Sequence, residues 1–397
     1  RVMIIKGEEY YAIAEDQWTS SVKIQARRGA ILDRNLKELA VSANVYRVDL
    51  DLKTIREYLE KNSLTYEDIA PKIAEALEMN VEKVLKVLNT KDSKGNPAGS
   101  AYLIRRVEKQ KVDKVKELNI SGIIISPDTK RYYPNNSYLS HVLGSTDIDG
   151  KGLTGIELMY DEELTGVDGF RIVELDAKSR DLPYSISEYI DPIDGKNVVL
   201  TIDEKIQFFA EKAASQALID NQAKAVSIIV MNPENGEILA MVNKPDFNPN
   251  TVRDEVSTYD ELQQLWRNRS VNDIYEPGSI FKIVTAMAAI EEGLISENDI
   301  FQCSGHKEVG GRVIHCWKRT GHGAQNFAEI LQNSCNVGFM EIGERLGAET
   351  LNKYIEKFGF GQKTGVDLPG EAKGIIKKTE NISTVDLATI SFGQTNT

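Results

Sequence analysis

Glu276-Pro277-Gly278-Ser279-Ile280-Phe281-Lys282 is the stretch on which the reading of this 397-residue chain turns. Pro277-Gly278 halts the preceding segment. Ser279 then opens a helix of about residues 279–291 that is apolar nearly all round apart from Lys282 and Thr285, the pattern of a buried central helix. A lysine in such a helix is costly unless it has a partner or a task. Positions i and i+3 share a face, so the amine reaches the Ser279 hydroxyl. The helix N-terminus favours an alkoxide there and helps to depress the lysine pKa. Serine activated by a neutral lysine is an acyl-transfer arrangement. The same seven residues also fit a plain N-cap serine beside a snorkelling lysine, and alone they do not separate the two readings.

A second element does. Asn333-Ser334-Cys335-Asn336-Val337-Gly338-Phe339 carries a Ser-x-Asn triplet 55 residues after Ser279. Ser-x-x-Lys followed by such a triplet and by Lys-Thr-Gly is the set shared by penicillin-binding proteins and class A β-lactamases. Ser334 is placed to relay a proton to a leaving group, and Asn336 to bind a substrate amide and Lys282.

Outward from these motifs the chain reads as a multidomain α+β protein. Residues 1–50 alternate like strands around Arg28-Gly-Ala-Ile-Leu-Asp-Arg-Asn35. Residues 52–120 carry apolar positions at helical spacing, as in Ile69-Ala-Pro-Lys-Ile-Ala-Glu-Ala-Leu77, and predict a helical insertion on a β-rich pedestal. Short strands with Gly, Pro and Asp punctuation resume over 120–195. A boundary near residue 195 gives a pedestal over 1–195 and a second domain over 196–397. The latter opens with a helix near 204–218 and two strands joined by Asn232-Pro-Glu-Asn-Gly236, a hairpin signal. Helices are predicted over about 279–291, 325–346 and 349–358, and strands leading into helices make the domain α+β.

Composition narrows the class. Forty-eight basic against 60 acidic residues leave a net charge of −12, which excludes a duplex nucleic-acid binder that works by phosphate neutralisation. No run reaches the ~18 apolar residues of a membrane span. Arg1-Val-Met-Ile-Ile5 reads equally as the exit of a removed anchor or as an ordinary strand. Three cysteines do not make a disulfide-stapled scaffold.

With those residues in hand, the chain resembles the class B penicillin-binding proteins, in particular their sporulation-specific SpoVD type of clostridia and bacilli. Arg28-Gly-Ala-Ile-Leu-Asp-Arg-Asn, Arg131-Tyr-Tyr-Pro134, Ser140-His-Val-Leu-Gly144 and Gly152-Leu-Thr-Gly-Ile-Glu157 look like the N-terminal motifs of that family, and Met231-Asn-Pro-Glu-Asn-Gly-Glu-Ile-Leu-Ala-Met241 resembles the opening strands of its catalytic domain. The resemblance implies a dimerisation-type pedestal followed by a serine β-lactamase-like transpeptidase domain. In the implied reaction Ser279 attacks a D-Ala-D-Ala stem peptide, D-Ala leaves, and the acyl group passes to a neighbouring stem's amine. It further implies acylation of Ser279 by β-lactams, an oxyanion hole that includes the Ser279 N–H, and no cofactor for catalysis. A membrane glycosyltransferase partner and a single-pass anchor at the extracytoplasmic face of the bacterial cell membrane complete the expectation.

Three departures stand out. Leu36 occupies a usual glycine position, and Ile280 a common threonine position. Lys363-Thr-Gly365 matches the third motif by letters, yet it sits in a stretch, 358–370, that resembles the family's loop ahead of Ser391-Phe-Gly-Gln394. The resemblance therefore implies that the last sheet strands lie beyond the residues given, and that the chain as written has weak activity or none.

Between the two motifs lie Cys303-Ser-Gly-His306 and His315-Cys316-Trp-Lys-Arg-Thr-Gly-His322. Cys303, His306, Cys316 and His322 make a four-donor N/S set of the kind that holds structural zinc, with His315 as a spare and Cys335 as an alternative thiolate. Some clostridial relatives carry a thiol-containing zinc motif near the active site. Two buried thiols beside a structural histidine is the plainer reading. Zinc here braces the loop leading to Ser334 and is not hydrolytic. Two rivals use the same residues or none: a β-lactamase or β-lactam sensor, disfavoured by the long pedestal, and a catalytically idle scaffold for a wall-synthesis complex.

Overall fold

The computed structural model describes residues 19–175 and 181–397, so the Arg1–Ile5 reading falls outside the described residues. The chain divides into two compact units, Arg1–Arg267 and Asn268–Thr397.

The first unit is organised by one long strand, Glu38–Asp51. It pairs antiparallel with Ile123–Tyr132 over its length and with Ser100–Val107 on its other edge. Ile31–Leu32 continues the sheet and pairs in parallel with Val198–Val199. The strand ends where the Asp51 carboxylate accepts the N–H groups of Lys53 and Thr54, capping the helix Leu52–Asn62. Helices Tyr66–Leu77, Val81–Leu88 and Lys109–Glu117 follow in the predicted insertion. Their apolar stripes bury Ile55, Ile69, Ile73, Leu77, Val84 and Val112 against Val48 and Leu50 of the sheet, each such side chain contributing about 1.5–3 kcal/mol. A separate three-stranded antiparallel sheet joins Thr19–Ile24, Gly169–Leu175 and Asp181–Ile190.

Three of the four quoted N-terminal motifs converge on one buried ionic knot. Glu157, fully buried, receives Arg131 Nε at 2.5 Å and Arg28 Nε at 2.8 Å, and the Tyr133 hydroxyl donates to it at 3.3 Å. Arg131 also donates to the Gly29 carbonyl at 2.7 Å, and Arg28 to Asp161 at 2.7 Å. Burial, then the Glu157 charge, pushes the Tyr133 phenol well above its ordinary pKa. Leu36 takes a left-handed φ of 65° in a turn whose N–H groups at Asn35 and Lys37 bind the Asp33 carboxylate. That conformation explains why glycine is usual there.

In the same unit the helix Glu204–Asp220 packs Ala210 and Ala214 on the hairpin Val226–Met231 and Ile238–Lys244. Gln207 stands in for a strand neighbour: its amide donates to Met241 O and accepts from Met241 N. The Asn232–Gly236 turn forms as predicted, closed by Gly236 N–H on Asn232 O at 2.9 Å.

The second unit differs from expectation in three places. The helix predicted from Ser279 starts as a 3-10 turn, Gly278–Phe281, and becomes α-helical over Lys282–Glu291. Its all-round apolar character does not bury it completely. Val284, Ala288 and Ala289 enter the core, whereas Ile280, Ile283, Met287 and Ile290 form an exposed stripe at three- and four-residue spacing. Composition gives the count of apolar faces, but packing within the unit covers only one.

The helix predicted over 325–346 is broken. Phe327–Gln332 stops at Asn333–Cys335, and a new helix, Asn336–Lys357, runs on through a kink at Gly347 (φ 74°). The span 300–326, read only for its cysteines and histidines, is two hairpins. Ile300–Cys303 pairs with Gly323–Asn326, and His306–Val309 with Arg312–His315. Phe281, Phe301, Ile330, Phe339, Met340, Ile342 and Ile355 fill the core between these pieces.

Candidate active site

Lys282 is the centre of the site, and its side chain is 2% exposed. Its amine lies 3.2 Å from Ser279 Oγ, 2.9 Å from Ser334 Oγ, 2.8 Å from the Ser334 carbonyl and 2.7 Å from Asn336 Oδ1. All four residues singled out from the sequence are thus brought together. Every one of these oxygens is uncharged, and the Phe339 ring stands 5.5 Å from the nitrogen. Burial, only partly opposed by the neighbouring Cys316 and Cys335 thiols, lowers the Lys282 pKa from 10.5 to about 8. An ammonium has three protons for these four oxygens. The neutral amine keeps two and offers a lone pair to the Ser279 proton.

Local sequence explains how the groups meet. Ser279 and Lys282 are one turn apart at the start of a helix. Ser334 adopts a left-handed φ of 49° where the helix Phe327–Gln332 stops, and Cys335 N–H bonds back to the Ile330 carbonyl at 2.9 Å. That reversal aims both the Ser334 hydroxyl and its carbonyl at Lys282.

Supports not identified from the sequence hold the two motifs. Trp317 Nε1 donates to the Asn333 carbonyl at 3.0 Å. Thr285 Oγ1 donates to the Ser391 carbonyl at 2.9 Å, and Gly278 N–H to the Gly393 carbonyl at 2.7 Å. Thr395 N–H binds Glu276 at 2.7 Å. In sequence the Ser391–Gln394 segment is only a family landmark, because contacts across more than a hundred residues leave no local spacing signal. Lys363-Thr-Gly365 sits elsewhere, its Thr364 and Gly365 N–H groups bound by the Glu371 carboxylate.

Beside the site, the donor atoms of Cys303, Cys316, His322 and Cys335 all lie within 4.8 Å of one another. His322 Nδ1 is 3.6 Å from both the Cys303 and Cys316 sulfurs. Its Nε2 is buried with no partner among the described residues. Burial, with Cys303 and Cys316 close by, raises the Cys335 thiol to about 12. At Cys316 burial acts in the same direction, but backbone N–H groups of Lys318, Asn336 and Val337 outweigh it and lower the pKa. His306 is the correction to the expected ligand set. The chain turns at Gly305 (φ 91°) into a hairpin that exposes His306 opposite His315. The fourth donor is Cys335, from the Ser-Cys-Asn triplet itself. Three thiols and an imidazole fit a tetrahedral zinc site in donor type and number.

Residues 226–397 match the penicillin-binding protein transpeptidase domain, and residues 23–200 the penicillin-binding protein dimerisation domain. The chain belongs to the class B penicillin-binding proteins. This penicillin-binding protein is 39% identical to stage V sporulation protein D of Bacillus subtilis, over 99% of its own length and 58% of that protein. It is 30% identical to the peptidoglycan D,D-transpeptidase FtsI of Escherichia coli, over 94% of its length and 60% of that protein. The chain thus spans about three-fifths of these curated relatives. Among solved structures, it is similar to penicillin-binding protein 2 in complex with MreC from Helicobacter pylori. That match has a TM-score of 0.73 and 29% identity, covering 95% of this chain and 74% of the other. Penicillin-binding protein 2X of Streptococcus thermophilus gives 0.72 and 27%, covering 95% and 57%. Among the described residues no helix is long and apolar enough to cross a membrane.

Proposed function

We propose that this penicillin-binding protein is a serine D,D-transpeptidase that cross-links peptidoglycan stem peptides. The observation that carries the reading is the buried Lys282 amine, held by Ser279, Ser334 and Asn336 with no carboxylate to keep it charged.

In the neutral state Lys282 takes the Ser279 proton as Oγ attacks the penultimate D-Ala carbonyl. The oxyanion is stabilised by backbone N–H groups including that of Ser279. As the tetrahedral adduct collapses, the proton passes from Lys282 through the Ser334 hydroxyl to the leaving amine. Terminal D-Ala departs and an ester remains on Ser279. An amine from a neighbouring stem then attacks this ester, returns its proton along the same path and leaves with the acyl group. Asn336 orients Lys282 and offers its amide to the donor peptide. A β-lactam acylates Ser279 in the same way, but its leaving amine stays tethered to the acyl group.

Catalysis needs no cofactor. Cys303, Cys316, His322 and Cys335 would hold a structural zinc ion. By fixing Cys335 it would fix Ser334 and Asn336 on either side. In the wider reading the pedestal ends near residue 195, the full-length protein is anchored at the extracytoplasmic membrane face, and it works with a membrane glycosyltransferase. A place in sporulation is supported by the likeness to stage V sporulation protein D, and partner binding by the MreC complex of the Helicobacter relative.

The test is the intact mass of the full-length protein after exposure to a penicillin, beside its Ser279→Ala variant. A stoichiometric adduct that the variant lacks is the expected result. An adduct on both proteins, or on neither, overturns the reading.

A further inference from the structure

Two of the chain's four histidines lie side by side on the exposed face of a tight hairpin, apart from the cysteine cluster. His306–Val309 and Arg312–His315 pair with His306 opposite His315 and Glu308 opposite Val313. Gly310 and Gly311 make the turn with φ of 54° and 73°, as a two-residue type I′ turn requires at both positions.

The register sets the spacing of the two imidazoles. Cys316 N–H donates to the Gly305 carbonyl at 2.9 Å, so that pair is a hydrogen-bonded one. The next pair, His306 with His315, is then of the non-hydrogen-bonded kind, in which side chains approach more closely. Their ring centroids are 6.1 Å apart with planes inclined at 53°. Neither ring is hydrogen-bonded among the described residues. Glu308, two residues from His306, shares the exposed face.

The opposite face is fixed. Lys307 is paired with Glu344 at 2.6 Å, and Val309 is buried. Strand alternation thus presents two unoccupied imidazoles and a carboxylate outward on a scaffold held from behind. Cys316, next to His315, is buried on the other side.

We propose that His306 and His315, with Glu308 completing the set, form a second, outward-facing site for a divalent transition ion of the imidazole-preferring class: zinc, nickel or copper(II). An ion ~2.0–2.1 Å from one nitrogen of each ring brings the centroids to about 5 Å. The rings reach that separation by small side-chain rotations, which their exposure permits. Remaining positions are filled by water. The ion staples the open end of the hairpin. There the His315 carbonyl lies 3.5 Å from the Asn336 amide, so occupancy stiffens the wall next to the candidate active site.

The test uses the whole chain, first given one equivalent of zinc for the cysteine cluster, with each histidine labelled with carbon-13 at Cε1. Nickel(II) is then titrated while the four ring signals are followed. His306 and His315 are expected to broaden together, while His141 stays sharp and reports an intact fold. His322 reports the cysteine cluster separately, so failure of the zinc reading there is distinguishable from failure here. In His306→Ala the His315 signal is expected to stay sharp, and in His315→Ala the His306 signal likewise; Glu308→Gln weakens binding severalfold. Broadening of one ring in the absence of the other, or of neither ring at millimolar nickel, overturns the proposal.

Discussion

Both units bury charge, and they do so in opposite ways. In the first, Arg28 and Arg131 meet Glu157 and Asp161, and every charge has a countercharge within 2.8 Å. In the second, Lys282 meets only neutral oxygens, and its pKa falls to about 8. A buried cation with a carboxylate stays a cation, so the knot can position chain segments but has no proton to give up. A buried lysine without one is held near its titration point, which is the condition for general-base chemistry near neutral pH. The contrast separates a structural use of buried charge from a chemical one by a single criterion, the presence of a carboxylate.

The largest effect expected from breaking this contrast is at Glu157. Glu157→Gln takes the countercharge from the buried Arg131 guanidinium and leaves Arg28 with Asp161 alone, and should cost about 3–5 kcal/mol of stability, read as a lowered urea midpoint. Acylation by penicillin per folded molecule should be unchanged. A loss of acylation without loss of stability would mean that the knot does more than hold the fold.

Next comes the pH dependence of acylation. The folded pKa of Lys282 is depressed, so the reactive neutral form grows as pH rises. The rate should climb nearly tenfold per unit well below pH 8 and level off above it, measured as the rate of covalent penicillin capture. The same shift makes folding stability rise between about pH 8 and 10.5, where the unfolded lysine still holds the proton that the folded one has lost. A flat profile would show that Lys282 is not the base.

The smallest effect tests the backbone at Leu36. Leu36 holds a left-handed conformation and is exposed. Leu36→Asn keeps a side chain that tolerates that region and should stabilise the first unit by about 0.5–1 kcal/mol, read from thermal unfolding. No gain would mean that Leu36 makes a compensating contact.

The sequence made the Ser279–Lys282 pair legible because an i, i+3 spacing on a helix is a local geometric fact. Ser334 and Asn336 were legible through their motif, and the insertion over 52–120 through its helical period. What could not be read was decided by backbone packing between distant segments. Cys303-x-x-His306 reads as a knuckle, but a Cβ at Gly305 would lie 2.0 Å from the Arg319 carbonyl. That close approach brings His322 to Cys303 and sends His306 out to solvent. In sequence, the place of Cys335 inside the catalytic triplet argues against it as a ligand, yet that position is what points its sulfur into the cluster. The four-residue strands of 300–326 do not alternate apolar with polar residues, so they carry no period-two signal. The exposed stripe Ile280, Ile283, Met287 and Ile290 shows that an all-apolar helix does not disclose how many of its faces one compact unit covers.

On the proposed function, the latch between Gly278 and Gly393 bears on which positions around Ser279 tolerate substitution. A Cβ at Gly393 would lie 2.0 Å from the Gly278 carbonyl, and the residue sits at φ 83°, so every substitution there displaces the turn carrying Ser279. Ile280, one residue from Ser279, is 67% exposed, so a substitution there meets no comparable backbone constraint. On that function, an acylating ligand that gains its grip from the Gly278–Gly393 backbone would meet a surface that side-chain substitution cannot remodel, whereas one that leans on the Ile280 side chain would lose its hold with a single change.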